Sequence, residues 1–238
     1  MRLNDRQECI GQVPPGPVVD PEGVLRYTHF SVVMNAPRRI ACYTAVNIDG
    51  ARWVNLERGD DTWYYDARLS RAYQLGDAFY GNKPTGRKGW FDRGHLVRRL
   101  DPVGGPMPMA TLANDESFHW TNCAPQFWGF NQGEELWQGL ENFILFNTDA
   151  EDVRATVFTG PLLQADDEEH RGVLIPQFFG KVVVVRDGRG CLGGSGRRPP
   201  TPGLGRCGPP ASGAVRVAAW RSTGRPTLPE ALPQRAAT

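Results

Sequence analysis

No run of apolar residues in this chain is long enough to cross a bilayer; the densest, Val182–Val185, is the size of a strand. The opening stretch MRLNDRQECIGQVPPGP has no apolar h-region of the kind a secretory leader needs. No signal peptide and no membrane partner are therefore expected in this chain, and the cytoplasm is the default compartment of an otherwise open localisation. The five cysteines, Cys9, Cys42, Cys123, Cys191 and Cys207, are odd in number and never spaced as CxxC. That spacing argues against a zinc ribbon or a thioredoxin-type site and reads as free thiols. Walker, HExxH and GxSxG motifs are missing, and GRGCLGG is followed by no helix, so it is no dinucleotide fingerprint. An excess of one charge is missing too, since the net charge is +1.

That small number hides an asymmetry. From Arg186 onward there are nine arginines and two acids, a net of +7, which leaves residues 1–185 at −6. A body of that sign cannot hold a polyanion through its general surface and would need a local patch. One such patch exists: Lys83, Arg87, Lys88, Arg93, Arg98 and Arg99 stand within 17 residues against Asp92 alone. In its midst lies WFDRGHLVRR, with the single histidine His95. Nearby cations push an imidazole toward its neutral form, and a neutral imidazole is a base. The same cations would hold an anion beside it.

Around this patch the chain reads as mixed α and β. Residues 1–25 are polar and proline-bearing, an irregular lead-in. Tyr27–Asn35 and Ile40–Ile48 are β-branched and aromatic runs joined by APRR, which predicts a hairpin. The region from DARL to GRKG reads as loop. MATLANDESFHW predicts a short helix leading to a strand, and TNCAPQFWGFNQ a loop interrupted by Pro125. GEELWQGLENFILF is the best helix, with Leu136, Trp137, Leu140, Phe143 and Ile144 on one face and Glu134 and Glu135 in its first turn. ATVFTGPLL and GKVVVVRD read as strands around the acidic loop QADDEEHRG, whose four consecutive acids are read as solvated. His29, His119 and His170 read as structural. Residues 188–238 are rich in Gly, Pro and Arg and lack periodicity, apart from one weak apolar patch, AVRVAAW. Two readings of that tail stand open. One is a disordered basic tail. The other is translation of a shifted reading frame, since Gly, Pro, Arg and Ala have GC-rich codons and no Lys, Phe or Tyr follows Arg186.

Hydrolysing a phosphodiester needs a base for water, a cation to neutralise developing charge and donors to place the phosphate. His95 is a candidate base and Arg93 a candidate donor. With no His/Cys cluster and an anionic substrate, the metal should be a hard one bound through few protein oxygens. PQFWGFNQGEELWQGLE offers Asn131, Glu134, Glu135 and Glu141.

These residues carry a resemblance. DRGH at Asp92–His95, TNCAPQ at Thr121–Gln126, FNQG at Phe130–Gly133 and WQGLE at Trp137–Glu141 resemble the DNA/RNA non-specific endonuclease family in order and spacing. FTGPL and IPQFFGKVVVV resemble its closing strands. The resemblance implies an α+β fold with a central antiparallel sheet and a ββα-metal site, over a domain at 26–187. It implies magnesium-dependent hydrolysis of DNA and RNA, with one mostly water-coordinated Mg2+ and Mn2+ as a substitute. His95 then matches the general base and Asn131 the only direct protein ligand to the metal. Glu141 matches the glutamate that orients the metal's waters, with Glu134 as fallback. Arg93 matches a phosphate contact, as does Arg52 in ARWVN, and Asn122 matches a support of the active-site hydrogen bonds. Here Asn131 and Trp137 stand two residues further apart than in the best-known members. As to partners, the resemblance implies DNA and RNA, allows a homodimer, and implies an immunity or inhibitor protein if the chain is a toxin. The alternative of another class is a catalytically inactive nucleic-acid-binding relic of the same fold.

Overall fold

A computed structural model describes residues 23–80, 91–150, 153–186 and 214–221. The chain enters through β1 (Val24–Tyr27) and β2 (Phe30–Asn35) and turns into β3 (Ile40–Asp49). The expected hairpin of β2 and β3 is present. The predicted first run is split by a tight turn at Thr28–His29, where His29 adopts φ 67°, and a further strand lies before it. A short helix α1 (Asp77–Tyr80) precedes β4 (Phe91–His95). After α2 (Met107–Glu116) come β5 (Cys123–Phe127), a one-turn α3 (Trp128–Asn131) and the long α4 (Trp137–Ala150). β6 (Arg154–Pro161), β7 (Glu168–His170), β8 (Val173–Ile175), β9 (Phe178–Arg186) and β10 (Ala214–Arg221) complete the order.

Six strands form one antiparallel sheet in the order β1-β2-β3-β6-β9-β10. The period of two is visible in β6, where Ala155, Val157 and Thr159 are buried and Arg154 and Phe158 exposed. α4 covers the buried face. Its inward stripe is Trp137, Glu141, Ile144, Leu145 and Thr148, steps of three and four with one carboxylate among them. Trp137, Phe130 and Phe179 form the aromatic centre of this core, with ring centroids 5.2 to 5.9 Å apart.

Several expectations need correction. Phe143 faces outward, 52% exposed, and Leu145 takes the core position. Glu134 and Glu135 precede α4 rather than forming its first turn. Pro125 lies in a strand, not a loop. Among the described residues β5 pairs with β4 alone, so the missing N–H breaks no ladder. In the acidic loop, Asp167 is buried and pairs with Arg38 at 3.0 Å, and β7 and β8 form a hairpin through Arg171 and Gly172, both at positive φ. Cys42 is disulfide-bonded, contrary to the free-thiol reading, whereas Cys123 is free and buried. Finally, the apolar patch in the expected tail is β10, aligned along β9 from Ala214 opposite Val185 to Arg221 opposite Phe178. The remainder of the tail lies outside the described residues, as does the lead-in up to residue 22.

Candidate active site

His95 closes β4 opposite Cys123 of β5. The hairpin is tight because Gly94 lies against the buried side chain of Gln126. A Cβ at Gly94 would come within 2.4 Å of the Gln126 carboxamide, so any larger residue there would have to displace that fully buried side chain. Just past His95 the chain leaves the ladder, and Asn122 takes over its backbone. Leu96 N donates to Asn122 O at 3.0 Å, and Val97 N donates to Asn122 Oδ1 at 2.9 Å. In return Asn122 Nδ2 donates to Val97 O at 2.8 Å and to Ser117 O at 2.9 Å. The neighbouring Thr121 meets Tyr27 Oη at 2.7 Å, and Tyr27 also donates to Asp66, which ties this turn to β1. Asn122 is fully buried and lies behind the histidine, not in front of it. Asn122→Ala strands three buried backbone groups, so a loss of about 3 kcal/mol is expected. In thermal unfolding this should appear as a drop in Tm of roughly 6–12 °C for a chain of this size. A variant that melts with the wild type would show that Asn122 does not hold this turn.

The His95 ring lies 4.6 Å from Trp63 and 4.9 Å, edge-on, from Phe118. His95 as a residue keeps partial exposure, but its Nε2 is buried and has no hydrogen-bond partner. Burial in this aromatic slot pushes the imidazole down to about 3; Asp61 opposes the shift, and Arg58, Arg99 and Arg98 add to it. The neutral base expected from the sequence is thus favoured first by aromatic burial, with the cations second. Folded His95 stays neutral while the unfolded chain binds a proton below about pH 6.5, so stability falls as pH drops from there toward the folded value. His95→Gln lacks this penalty. Between pH 7.5 and 5.5 in urea, the stability difference between variant and wild type should move in the variant's favour by about 1 kcal/mol. An unchanged difference would rule out a depressed His95.

The opposite wall comes from the helices. Asn131 ends α3, and Asp92 of the DRGH motif accepts from Asn131 Nδ2 at 3.0 Å and from Gln132 Nε2 at 2.7 Å. A carboxylate only accepts, so it selects the amide end and leaves Asn131 Oδ1 as the end able to ligate a cation. The chain then turns sharply into α4. At Gly139 an added Cβ would lie 1.7 Å from Glu134 O, which accounts for the glycine of WQGLE. Glu141 follows Trp137 by one turn on the buried stripe. Burial pushes its carboxyl up, and Lys181, paired at 3.1 Å, counters this.

His95, Arg93, Asn131 and Glu141 all line one cavity of about 590 Å³, together with Arg58, Asp61, Trp63, Arg98 and Arg99. The two extra residues before Trp137 are taken up in the turn between α3 and α4, so Asn131 and Glu141 still share the cavity. The fallback Glu134 is exposed and lies outside the lining. Arg52 is not brought to this site. It lines a separate cavity of about 650 Å³ with His29, Asp49, Asp101, Met109 and Arg154. Its neighbour Trp53 donates to Leu100 O at 2.9 Å and faces the core, so the arginine–aromatic pair read in ARWVN is no part of the cleft. Arg58, which sequence reasoning missed, lines this cavity instead. Its signal lay in RGDDTW, an arginine a short step before the tryptophan that packs on the catalytic candidate. Lys83, Arg87 and Lys88 of the basic patch lie outside the described residues. His29, His119 and His170 are engaged elsewhere: the first two bond backbone carbonyls at 2.7 and 2.8 Å, and the third packs on Phe79 and Phe91.

The donor set also bears on a metal. Among the described residues no three His, Cys, Asp or Glu side chains come together as a cage. The cavity offers separated oxygens instead, on Asn131 and Glu141. Such donors fit a hard cation that keeps several of its waters, and do not fit zinc.

Three comparisons bear on this geometry. The profile of the DNA/RNA non-specific endonuclease family matches residues 16–200. The "Uncharacterized protein y4fB" of Sinorhizobium fredii (strain NBRC 101917 / NGR234) is 66% identical over 168 residues, 70% of this chain. The aligned part is 25% of that relative, so the chain spans about a quarter of its length. A solved structure described as "Crystal structure of the EndoG/EndoGI complex: Mechanism of EndoG inhibition" matches with a TM-score of 0.57 at 15% identity. The match covers 94% of this chain and 82% of the other, and at that identity it speaks for the α+β fold with its central antiparallel sheet.

Proposed function

The chain belongs to the DNA/RNA non-specific endonuclease family, and from that premise we propose that it hydrolyses phosphodiester bonds in DNA and RNA with magnesium as its metal. The observation that carries the reading is the unpartnered, buried Nε2 of His95 in the same cavity as Asn131, Glu141 and four arginines. For Nε2 to accept a proton, the neutral ring must carry its own on Nδ1. His95 then draws a proton from water as that water attacks phosphorus. Arg58, Arg93, Arg98 and Arg99 place the phosphate and stabilise its growing charge; Arg98 Nη1 is itself buried and unpartnered. Asn131 and Glu141 would hold and orient the magnesium and its surrounding water, and the metal would supply charge neutralisation at the phosphate and the leaving oxygen. Contacts made to phosphate rather than to base edges or the 2′-hydroxyl give indifference to sequence and sugar. The test is cleavage of plasmid DNA and of RNA by the purified chain with magnesium and with EDTA. Loss of both substrates only with magnesium is expected; binding without cleavage would instead support an inactive relic.

The two arginines provide a sharper check. Arg58→Ala should lower kcat/KM on duplex DNA by roughly 10- to 100-fold, as expected for losing a charge-assisted phosphate contact. Arg52→Ala should stay within about threefold of wild type, because it lies in the other cavity. The reverse ranking would restore the sequence assignment. The solved neighbour is described as an inhibited complex. If this chain is a toxin, a protein that fills its cleft is the corresponding partner, and it would compete with DNA in a binding assay.

A further inference from the structure

Among the described residues, the most buried cation lies directly behind the cleft. Lys181, 1% exposed, comes from the middle of β9, opposite Thr159 of β6. Its ammonium donates to Leu96 O at 3.3 Å and to Thr159 Oγ1 at 3.1 Å, and forms an ion pair with Glu141, 3.1 Å from Oε1. The Trp137 ring lies 4.6 Å from Nζ. These partners come from separate parts of the site. Glu141 and Trp137 are one turn apart on α4. Leu96 is the residue after His95. Thr159 belongs to the central sheet.

Stability alone does not account for this arrangement. Taking both charges of an ion pair out of water is costly, and a well-packed apolar pair of similar volume often serves as well or better. The face of α4 around Glu141 is otherwise filled by Trp137, Ile144 and Leu145, so an apolar pair would suit it. A charge pair is needed here only if Glu141 has to be a carboxylate held at a fixed place. Two further charged groups face the same pocket of space. Asp101 is buried and pushed up to about 7 by burial, with Lys181 countering and Glu141 adding, and Arg98 acts on both acids. Lys181 is the cation that compensates two buried acids while touching one of them.

We propose that Lys181 is a positioning residue of the cleft: anchored by Leu96 O and Thr159 Oγ1, it fixes the Glu141 carboxylate relative to the chain segment that carries His95. This rests on the nuclease reading. Lys181 does not line the cavity and acts through Glu141, so removing it should cost what losing Glu141 costs, once and not twice.

The test compares Lys181→Met, Glu141→Gln and the double variant, each first shown to be folded by circular dichroism. Single-turnover rates on duplex DNA and magnesium affinity by calorimetry are then measured. Each variant should cleave roughly 10- to 100-fold more slowly than wild type and bind magnesium about tenfold more weakly, as for a supporting residue of a metal site. The double variant should match the slower single within about threefold, with KM for DNA unchanged, because the arginines that hold phosphate are intact. A merely structural lysine predicts losses that multiply, and that outcome overturns the proposal. So does a folded Lys181→Met with wild-type rate and wild-type magnesium affinity. If Lys181→Met alone fails to fold, the double variant removes both members of the pair, with Arg98 still facing Asp101, and is compared with Glu141→Gln; a further loss of about tenfold or more then rejects the proposal. A wild-type chain that binds magnesium but cleaves nothing rejects the nuclease reading alone, and the calorimetric comparison still decides the role of Lys181.

Discussion

His95→Ala is expected to lower the single-turnover rate of DNA and RNA cleavage by roughly 10²- to 10⁴-fold, the range for losing a general base. The fold should survive. The ring contributes contacts with Trp63 and Phe118 at the rim of a cavity, while the backbone around it is held by β5 and by Asn122. The substitution therefore removes a proton acceptor without touching the clamp that places it. It also leaves a ring-sized slot between two aromatic side chains, open to the cleft. Added imidazole should enter that slot and restore part of the rate, with a dependence on the neutral imidazole concentration. A folded His95→Ala that cleaves within about threefold of wild type would end the assignment of His95 as base. Rescue by imidazole would separate lost proton transfer from lost geometry, since a displaced hairpin cannot be repaired by a small base.

The effect is expected to be large because the surroundings of His95 keep its ring neutral. A histidine in water is half protonated near pH 6.5. In the slot made by Trp63 and Phe118 it stays neutral well below that, so the base is present in its working form throughout the neutral range. Asp61 opposes this, and its fork-like ion pair with Arg58 at the mouth of the cavity limits that opposition. A bound phosphate would add a negative charge at the same place and raise the imidazole's affinity for the proton it must take. The depressed starting point and the anionic substrate thus bring the base toward the operating pH from below.

How much of this was legible in the sequence depended on how local each signal was. DRGH reads well because its four residues are consecutive in β4 and end on His95, although Asp92 and Gly94 meet partners on α3 and β5. WQGLE reads well because one helical turn fixes Trp137 over Glu141. The β-branched runs of β2, β3, β6 and β9 were legible for the same reason, as their alternation is set within each strand. What failed was long-range. Whether Arg52 or Arg58 reaches the cleft depends on where the chain leaves β3, and Gly50–Arg52 forms a 3-10 turn that sends Arg52 to another cavity. Pro125 argued against a strand, and it is admissible because β5 pairs with β4 alone among the described residues. The face of α4 was misjudged at Phe143 because Glu141, a charged residue, occupies the buried stripe. Periodicity counts apolar residues and could not foresee that Lys181, forty residues on in β9, would pair with it. The patch AVRVAAW looked too weak alone, and it forms a strand because β9 offers an unpaired edge.

Asn131→Ala should lower cleavage by about a hundredfold at a fixed, moderate magnesium concentration, because it removes the oxygen proposed to hold the ion; several kcal/mol of charge stabilisation would depend on that ion. The form of the loss separates it from that of His95→Ala. Weaker metal binding can be overcome by more metal, so raising magnesium should recover much of the Asn131→Ala deficit and none of the His95→Ala deficit. Asp92→Asn gives the intermediate case. Asp92 keeps Asn131 Nδ2 turned toward itself. An amide at position 92 can accept or donate, so it no longer selects one orientation of the Asn131 carboxamide. The ligating oxygen is then presented only part of the time, and a loss of roughly 10-fold, also relieved by magnesium, is expected. Magnesium titrations of the rate for the three variants beside wild type decide the matter. If Asn131→Ala reaches half its maximal rate at the wild-type magnesium concentration, Asn131 is no ligand, and the hard-cation reading must pass to Glu141 alone.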